Sequence, residues 1–399
     1  MRVLQVVMTI QGEHGGIPVI CTRLAAAQAQ AGMRVGLVSY PVPRGSASVT
    51  DNLRQVPGGA DVSIHGLPRL TRRELYFPSA ARAVVRAIVP EYDFVHIHAV
   101  WEPFLWMVGA EARRAGVPYC VVLHGLLDHW TLAQSSLKKR LALALRARAF
   151  LNHAAFLHVG NAHERDAIAG LGLTAPREII PNGVFLEEFE SPPPRGAFAA
   201  AHPSLSGRPY ILFLSRIHFK KGLDFLADAF AIVARERPDV QLVVAGSDGG
   251  YQGEFERMIA AHGLTGRTHL VGALYGADKL AAFNDAACFC LPSRQEGFSI
   301  AITESLACGT PAVVSEDCHY PEVSEVRAGE VTKLDAASVA QGLLRVLAGD
   351  RAAMGEAGRR LVRERFNWPA VARTTLGAYE RTYARLGRSV PGKGPVAAA

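Results

Sequence analysis

The sequence has no Asp-x-Asp pair, no CxxC or other metal-type spacing among its six cysteines, and no uninterrupted apolar run of about 18 residues. The first absence removes the carboxylate pair that would bridge a metal ion to a diphosphate. The second leaves Cys21, Cys120, Cys288, Cys290, Cys308 and Cys318 as reduced thiols in apolar runs, the usage of a cytosolic protein. The third argues against a membrane-spanning helix. The opening residues, MRVLQVVMTIQGEHGG, carry no charged leader and no small-residue cleavage site, and read as a first strand and its turn.

A concentrated basic patch is also missing. The net charge is +7, but residues 1–190 hold 19 Lys+Arg against 15 Asp+Glu, and the remainder 24 against 21. No basic motif is interleaved with aromatics as single-stranded nucleic acid requires, so nucleic acid is not an expected partner. A spread balance of this size suits a small anionic substrate or an anionic membrane surface.

What is present is alternation. Apolar strand-like runs recur between helical stretches: RVLQVVMT, VGLVSY, DVSIHGL, FVHIHAV, YCVVLHG and FLHVGNA, then YILFLSR, QLVVAGS, THLVGAL, ACFCLPS and AVVSED. Continuous apolar strands separated by helices predict parallel sheets covered on both faces, a doubly wound α/β arrangement formed twice in 399 residues. Prolines, serines and small residues in SPPPRGAFAAAHPSLSGRP predict a linker over 191–208, between domains at 1–190 and 209–365. A helix is expected over 366–387, then a mobile tail over 388–399.

Four places carry candidate chemistry. In ACFCLPSRQEGFSIAITESLACGTP a strand, a turn and a helix put Glu296 beyond a parallel strand's carboxyl end and Glu304 in the helix that follows. Gly297 lets backbone amides approach a ligand, and the helix start favours negative groups. Carboxylates there repel phosphate, so they suit sugar or ribose hydroxyls; the plain alternative is a solvated turn residue and a favourable acid near a helix start. In YILFLSRIHFKKG, Arg216 and Lys221 stand at a strand end and a helix start, suited to a diphosphate unless they are merely solvated. Gly12, Gly15 and Gly16 form a loop before the first long helix, without the GxGxxG spacing. His124 and Gly125 end a strand, while His96 and His98 alternate on one face of another as core or wall residues without metal spacing.

With IPNGV, SRIHFKKG and EGFSIAITE in this order along the chain, nearly all of it resembles the retaining glycosyltransferases of family 4, which have the GT-B fold: two facing Rossmann-like domains with a cleft between them. The resemblance implies that Arg216 and Lys221 hold a donor diphosphate, that Glu304 binds ribose and Glu296 the transferred sugar, and that Gly297, Phe298 and Ser299 lie nearby. It implies a cleft role for His124, a glycine loop at Gly15 and Gly16 beside the phosphate, a donor-side place for Asn182, and a last helix that crosses back to the first domain. Ser299 departs from the family's commoner EGFG and bears on the donor sugar. HGLLDHWTLAQSSLKKRLALALRARAFL, SRIHFKKGLDFL and CHYPEV resemble bacterial exopolysaccharide and lipopolysaccharide members.

The expected reaction is transfer of a sugar from a nucleoside-diphosphate sugar, uridine favoured and guanosine the alternative, to a saccharide or lipid-linked saccharide hydroxyl, with no cofactor and no metal. The expected location is cytoplasmic, with peripheral contact to the inner membrane face through the basic amphipathic run SSLKKRLALALRARAF as an alternative to ordinary packing. Two rival readings use the same residues: a sugar-nucleotide epimerase or phosphorylase, and a catalytically silent sugar-nucleotide-binding scaffold.

Overall fold

The computed structural model describes residues 1–11, 16–42, 53–54, 56–128, 146–205 and 207–392. The chain divides into two compact units, Met1–Asn182 with Trp368–Ala399, and Gly183–Asn367.

Unit 1 holds seven parallel strands: β1 (Arg2–Thr9), β2 (Arg34–Tyr40), β3 (Ser63–Gly66), β4 (Phe94–His98), β5 (Tyr119–Val122), β6 (Phe156–Val159) and β7 (Arg177–Ile179), in the order β3-β2-β1-β4-β5-β6-β7. The order reverses direction between β1 and β4, the switch point of a doubly wound sheet. The register sets Gln5 beside His96 and His96 beside Cys120. Because side chains alternate along a strand, Phe94, His96 and His98 share one face and Val95 and Ile97 the other. Helices Gly16–Gln30 and Trp368–Arg385 bring Gln28 and Tyr379 to the His96 face, with the Tyr379 ring 4.1 Å from that of Phe94.

Unit 2 holds six parallel strands: β8 (Tyr210–Leu214), β9 (Gln241–Ala245), β10 (Thr268–Gly272), β11 (Cys288–Leu291), β12 (Ala312–Ser315) and β13 (Gly329–Thr332), in the order β10-β9-β8-β11-β12-β13. Its switch point lies between β8 and β11. All eleven runs singled out in the sequence are strands. The two that escaped notice, β7 and β13, are edge strands of three and four residues, REI and GEVT, with a charged residue and no apolar run.

The proline-rich stretch 191–208 is not the joint between the units. It forms a helix at Ala197–Ala201 and a 3-10 turn at Pro203–Leu205, and Phe198 and Leu205 are buried in the core of unit 2. Asp285 accepts the N–H groups of Gly196 and Phe198 at 2.6 and 2.9 Å. Prolines mark turns whether or not a domain ends there, and burying two large apolar side chains contributes about 2 kcal/mol each. The division falls instead after Asn182 and after Asn367, and helix Trp368–Arg385 belongs with unit 1.

Candidate active site

The loops leaving β8 and β11 meet at the switch point of unit 2. After β8 the chain makes a 3-10 turn at Phe219–Lys221 and enters helix Leu223–Glu236 through Gly222. Gly222 has φ +68°, and a Cβ there would stand 1.8 Å from the Pro292 carbonyl oxygen in the loop after β11, so only glycine permits this approach. Arg294 ties the same two loops together. Its backbone N–H donates to the Lys220 carbonyl at 2.8 Å; its guanidinium donates to the Phe219 carbonyl at 2.9 Å and to Asp224 at 2.7 Å, and lies 3.8 Å from the Phe219 ring centroid.

This framework brings Lys221 and Glu296 together. Lys221 Nζ donates to Glu296 Oε1 at 2.7 Å, and Ser293 Oγ donates to the same oxygen at 2.5 Å. Glu296 is 8% exposed. Burial opposes its ionisation, yet Lys221, Ser293 and Lys220 together hold the carboxyl below its ordinary value. An ammonium carries three donors, so Lys221 keeps two for another anion. His218 is held below the usual imidazole value by burial and then by Arg216, Lys220 and Lys221, which places three cations around it. Arg216 is exposed and forms no hydrogen bond or ion pair among the described residues.

Helix Ile300–Cys308 starts beside Glu296. Its N-cap, Ser299, is buried and gives no side-chain capping bond, so the helix start keeps backbone donors for other acceptors. The ring of Phe298 packs at 5.4 Å from Tyr320 and 5.7 Å from Phe366, which assigns that ring to the core. Glu304 lies in the second turn and pairs with Lys279 of helix Gly276–Asp285, whose Nζ donates to Oε1 at 2.6 Å.

The other sequence-derived residues belong to unit 1. Gly16 opens helix Gly16–Gln30, and Asn182 is buried at the unit's end. Gly12 and Gly15 lie outside the described residues, as does most of SSLKKRLALALRARAF. His124 follows β5 with φ 52°, its ring stacked 5.3 Å from that of His98, and burial followed by His158 lowers its pKa to about 3. At the β1/β4 switch point of the same unit, a cavity of about 1190 Å³ is lined by Thr9, Tyr40, Arg69, His98 and Glu102 among others. Among the described residues Glu102 Oε2 is buried without a hydrogen-bond partner, and burial raises its carboxyl.

Sequence reasoning missed Lys279, Ser293 and Glu102 and gave no role to Arg294. Ser293 and Glu102 follow strands at the two switch points, and that position was the available signal. Lys279 stands in an ordinary amphipathic helix, and nothing local marks it.

A family profile described as "Glycosyl transferase 4-like domain" matches residues 15–183, and one described as "Glycosyl transferases group 1" matches residues 195–361. The chain belongs to the family 4 glycosyltransferases, and its two parallel sheets are those of the GT-B fold. It is 34% identical over 220 residues to the phosphatidyl-myo-inositol mannosyltransferase of Mycobacterium leprae (strain TN), a match covering 53% of this chain and 55% of that protein. The chain thus spans about half the length of that relative. It is 29% identical over 307 residues to the GDP-mannose-dependent alpha-(1-6)-phosphatidylinositol monomannoside mannosyltransferase of Mycolicibacterium smegmatis, covering 73% and 77% of the two chains. The structure of Anabaena Alr3699/HepE in complex with UDP and glucose superposes with TM-score 0.76 at 17% identity, covering 96% of this chain and 100% of that one, a likeness of fold. Among the described residues no helix is long and apolar enough to cross a membrane.

Proposed function

We propose that the protein transfers a sugar from a nucleoside-diphosphate sugar to an acceptor hydroxyl with retention of the anomeric configuration. The observation that carries this reading is the Lys221–Glu296 contact at the β8/β11 switch point, beside Arg216 and the helix start at Ser299. Arg216, Lys221 and the helix amides hold the diphosphate, whose developing charge is what catalysis must stabilise. Glu296 accepts from hydroxyls of the transferred sugar, with Gly297, Phe298 and Ser299 presenting backbone, and Glu304 accepts from the ribose. The family resemblance further assigns His124, Gly15, Gly16 and Asn182 to the donor.

The bond from the anomeric carbon to the diphosphate oxygen breaks, and its electron pair leaves with the nucleoside diphosphate. The acceptor oxygen forms the new bond on the same face, and its proton passes to the departing phosphate oxygen. The cations, rather than a metal ion, neutralise the leaving group in this scheme. The name of the M. smegmatis relative puts GDP-mannose ahead of a uridine donor as the first to try, and the relatives' names point to a polyol or lipid-linked acceptor such as a phosphatidylinositol headgroup. The cavity at the β1/β4 switch point of unit 1 is the acceptor's place, at the membrane's cytoplasmic face where the acceptor is lipid-linked.

The test is transfer by the full chain from GDP-mannose and UDP-glucose to phosphatidylinositol and simple saccharides, with and without EDTA, the product's anomeric configuration read by NMR. Retained configuration and loss of transfer in Lys221→Ala and Glu296→Ala are expected. An inverted product, or transfer near the wild-type rate in both variants, would overturn the assignment.

A further inference from the structure

Unit 1 contains a continuous chain of hydrogen bonds, buried in every link but the last, that begins at a backbone carbonyl and ends on the half-buried His124. His158 Nε2 meets the Ile180 carbonyl at 2.8 Å, and His158 Nδ1 meets His96 Nε2 at 3.2 Å. His96 Nδ1 meets Tyr379 Oη at 2.6 Å, and Gln28 Nε2 donates to that oxygen at 2.9 Å. Gln5 Nε2 donates to Gln28 Oε1 at 2.6 Å, and His98 Nε2 meets Gln5 Oε1 at 2.8 Å. His98 Nδ1 meets His124 Nε2 at 3.1 Å.

One end fixes every proton in this chain. A carbonyl only accepts, so His158 Nε2 carries hydrogen and, in a neutral ring, Nδ1 is bare. His96 must then donate from Nε2 and receive the Tyr379 hydroxyl hydrogen at Nδ1. The same direction runs through Gln28 and Gln5 to His98, which donates from Nε2 and is bare at Nδ1. His124 must donate from Nε2, which leaves its own Nδ1 as an acceptor. Turning both glutamine amides and reversing every bond would set a bare His158 Nε2 against the Ile180 carbonyl, two acceptors face to face. Burial keeps the rings neutral: His96 and His98 are held far below the usual imidazole value, His124 at about 3 and His158 at about 4.

We infer that this chain is a tautomer lock, which makes His124 Nδ1 a pure hydrogen-bond acceptor and so selects a donor sugar with a hydroxyl facing it over a sugar with a carboxylate there. The hydroxyl part rests on the proposed placement of His124 beside the sugar; the lock rests on the hydrogen bonds alone. A carboxylate facing a bare nitrogen meets lone pair against lone pair, and a ring that stays neutral gains no proton to relieve it. Tyr379, from the last helix of the chain, is the positioning residue that joins the two halves of the lock. It touches no reacting atom.

The experiment is long-range ¹H–¹⁵N NMR of the full chain labelled with ¹⁵N-histidine at neutral pH, the His124 signal assigned by its loss in His124→Gln. The expected spectrum shows His96, His98, His124 and His158 as neutral Nε2–H tautomers. Tyr379→Phe, or Gln5→Leu should Tyr379→Phe not fold, is expected to turn His124 into a tautomer mixture and to lower kcat/KM about ten-fold. An Nδ1–H or doubly protonated His124 in the wild-type protein, or an unmoved His124 signal in a folded variant, overturns the lock. Adding GDP-mannose is expected to move the His124 Nδ1 signal, and the corresponding uronate to leave it in place. A locked His124 that responds to neither sugar, or to both alike, overturns the sugar selection and leaves the lock standing.

Discussion

Lys221 Nζ and Glu296 Oε1 stand 2.7 Å apart in the loops that follow two adjacent strands, and Ser293 Oγ donates to the same oxygen. Removing one partner leaves a buried charge, so Lys221→Met is expected to cost about 3 kcal/mol and Glu296→Gln somewhat less. The double variant is expected to recover about 1–2 kcal/mol of the summed loss. Urea denaturation of the four proteins checks this, and simple additivity would show that the contact does not hold the two loops.

Two arginines near the same loops should behave oppositely. Arg216 is exposed and without a protein partner among the described residues, so Arg216→Ala is expected to change stability by less than about 0.5 kcal/mol. Transfer should nonetheless fall about 10²-fold or more, because leaving-group charge loses a cation. Arg294 is half-buried against Asp224 and two phenylalanine rings and ties the loops together, so Arg294→Ala is expected to cost about 2 kcal/mol. Thermal unfolding and initial rates on both variants separate the two roles.

Stability should fall on mild acidification. His96, His98, His124 and His158 have folded pKa values depressed by burial, whereas unfolded imidazoles take up protons below about pH 6.5. Below that pH the unfolded state binds more protons, so stability is fully present above about pH 6.5 and is lost at about 1.4 kcal/mol per pH unit for each ring as pH falls. Glu102 and Glu164, whose carboxyls burial raises, take up protons first in the folded state and offset part of the loss. Denaturation at pH 7.5, 6 and 5 is the measurement, and a flat profile would contradict it.

Glu102 offers a stability and activity trade. It lines the unit 1 cavity, and among the described residues its Oε2 is buried without a hydrogen-bond partner. Glu102→Gln removes the charge that burial disfavours and is expected to raise stability by about 1 kcal/mol at neutral pH. Acceptor KM is expected to rise, with donor KM unchanged. A destabilised variant with ordinary acceptor kinetics would remove Glu102 from the acceptor site.

Much of this architecture was legible in the sequence because parallel strands buried on both faces are continuous apolar runs. Strands β7 and β13 were not, since edge strands need no such run. The linker was misplaced because proline content reports turns, while the buried Phe198 and Leu205 decide which unit owns the stretch. At the site, Glu296 and Lys221 could be read from their positions after strands, and their mutual contact follows from β8 and β11 being neighbours. The Lys279–Glu304 pair and the hydrogen bonds from Ile180 to His124 could not be read. Each joins residues distant in sequence whose meeting depends on helix packing, and a buried glutamine or tyrosine looks like any other until its partners are placed.

The central claim is that Glu296 and Glu304 read opposite ends of one donor. Calorimetric titration of Glu296→Gln and Glu304→Gln with GDP and with GDP-mannose, and with UDP and UDP-glucose, tests it most directly. Glu304→Gln should weaken the nucleoside diphosphate and its sugar alike, by about 10-fold or more, through lost hydrogen bonds to a charged group. Glu296→Gln should weaken only the sugar nucleotide, and should leave or strengthen binding of the bare diphosphate because Lys221 is freed to meet it. Weaker binding of the bare diphosphate by Glu296→Gln, or unchanged binding by Glu304→Gln, would contradict the account.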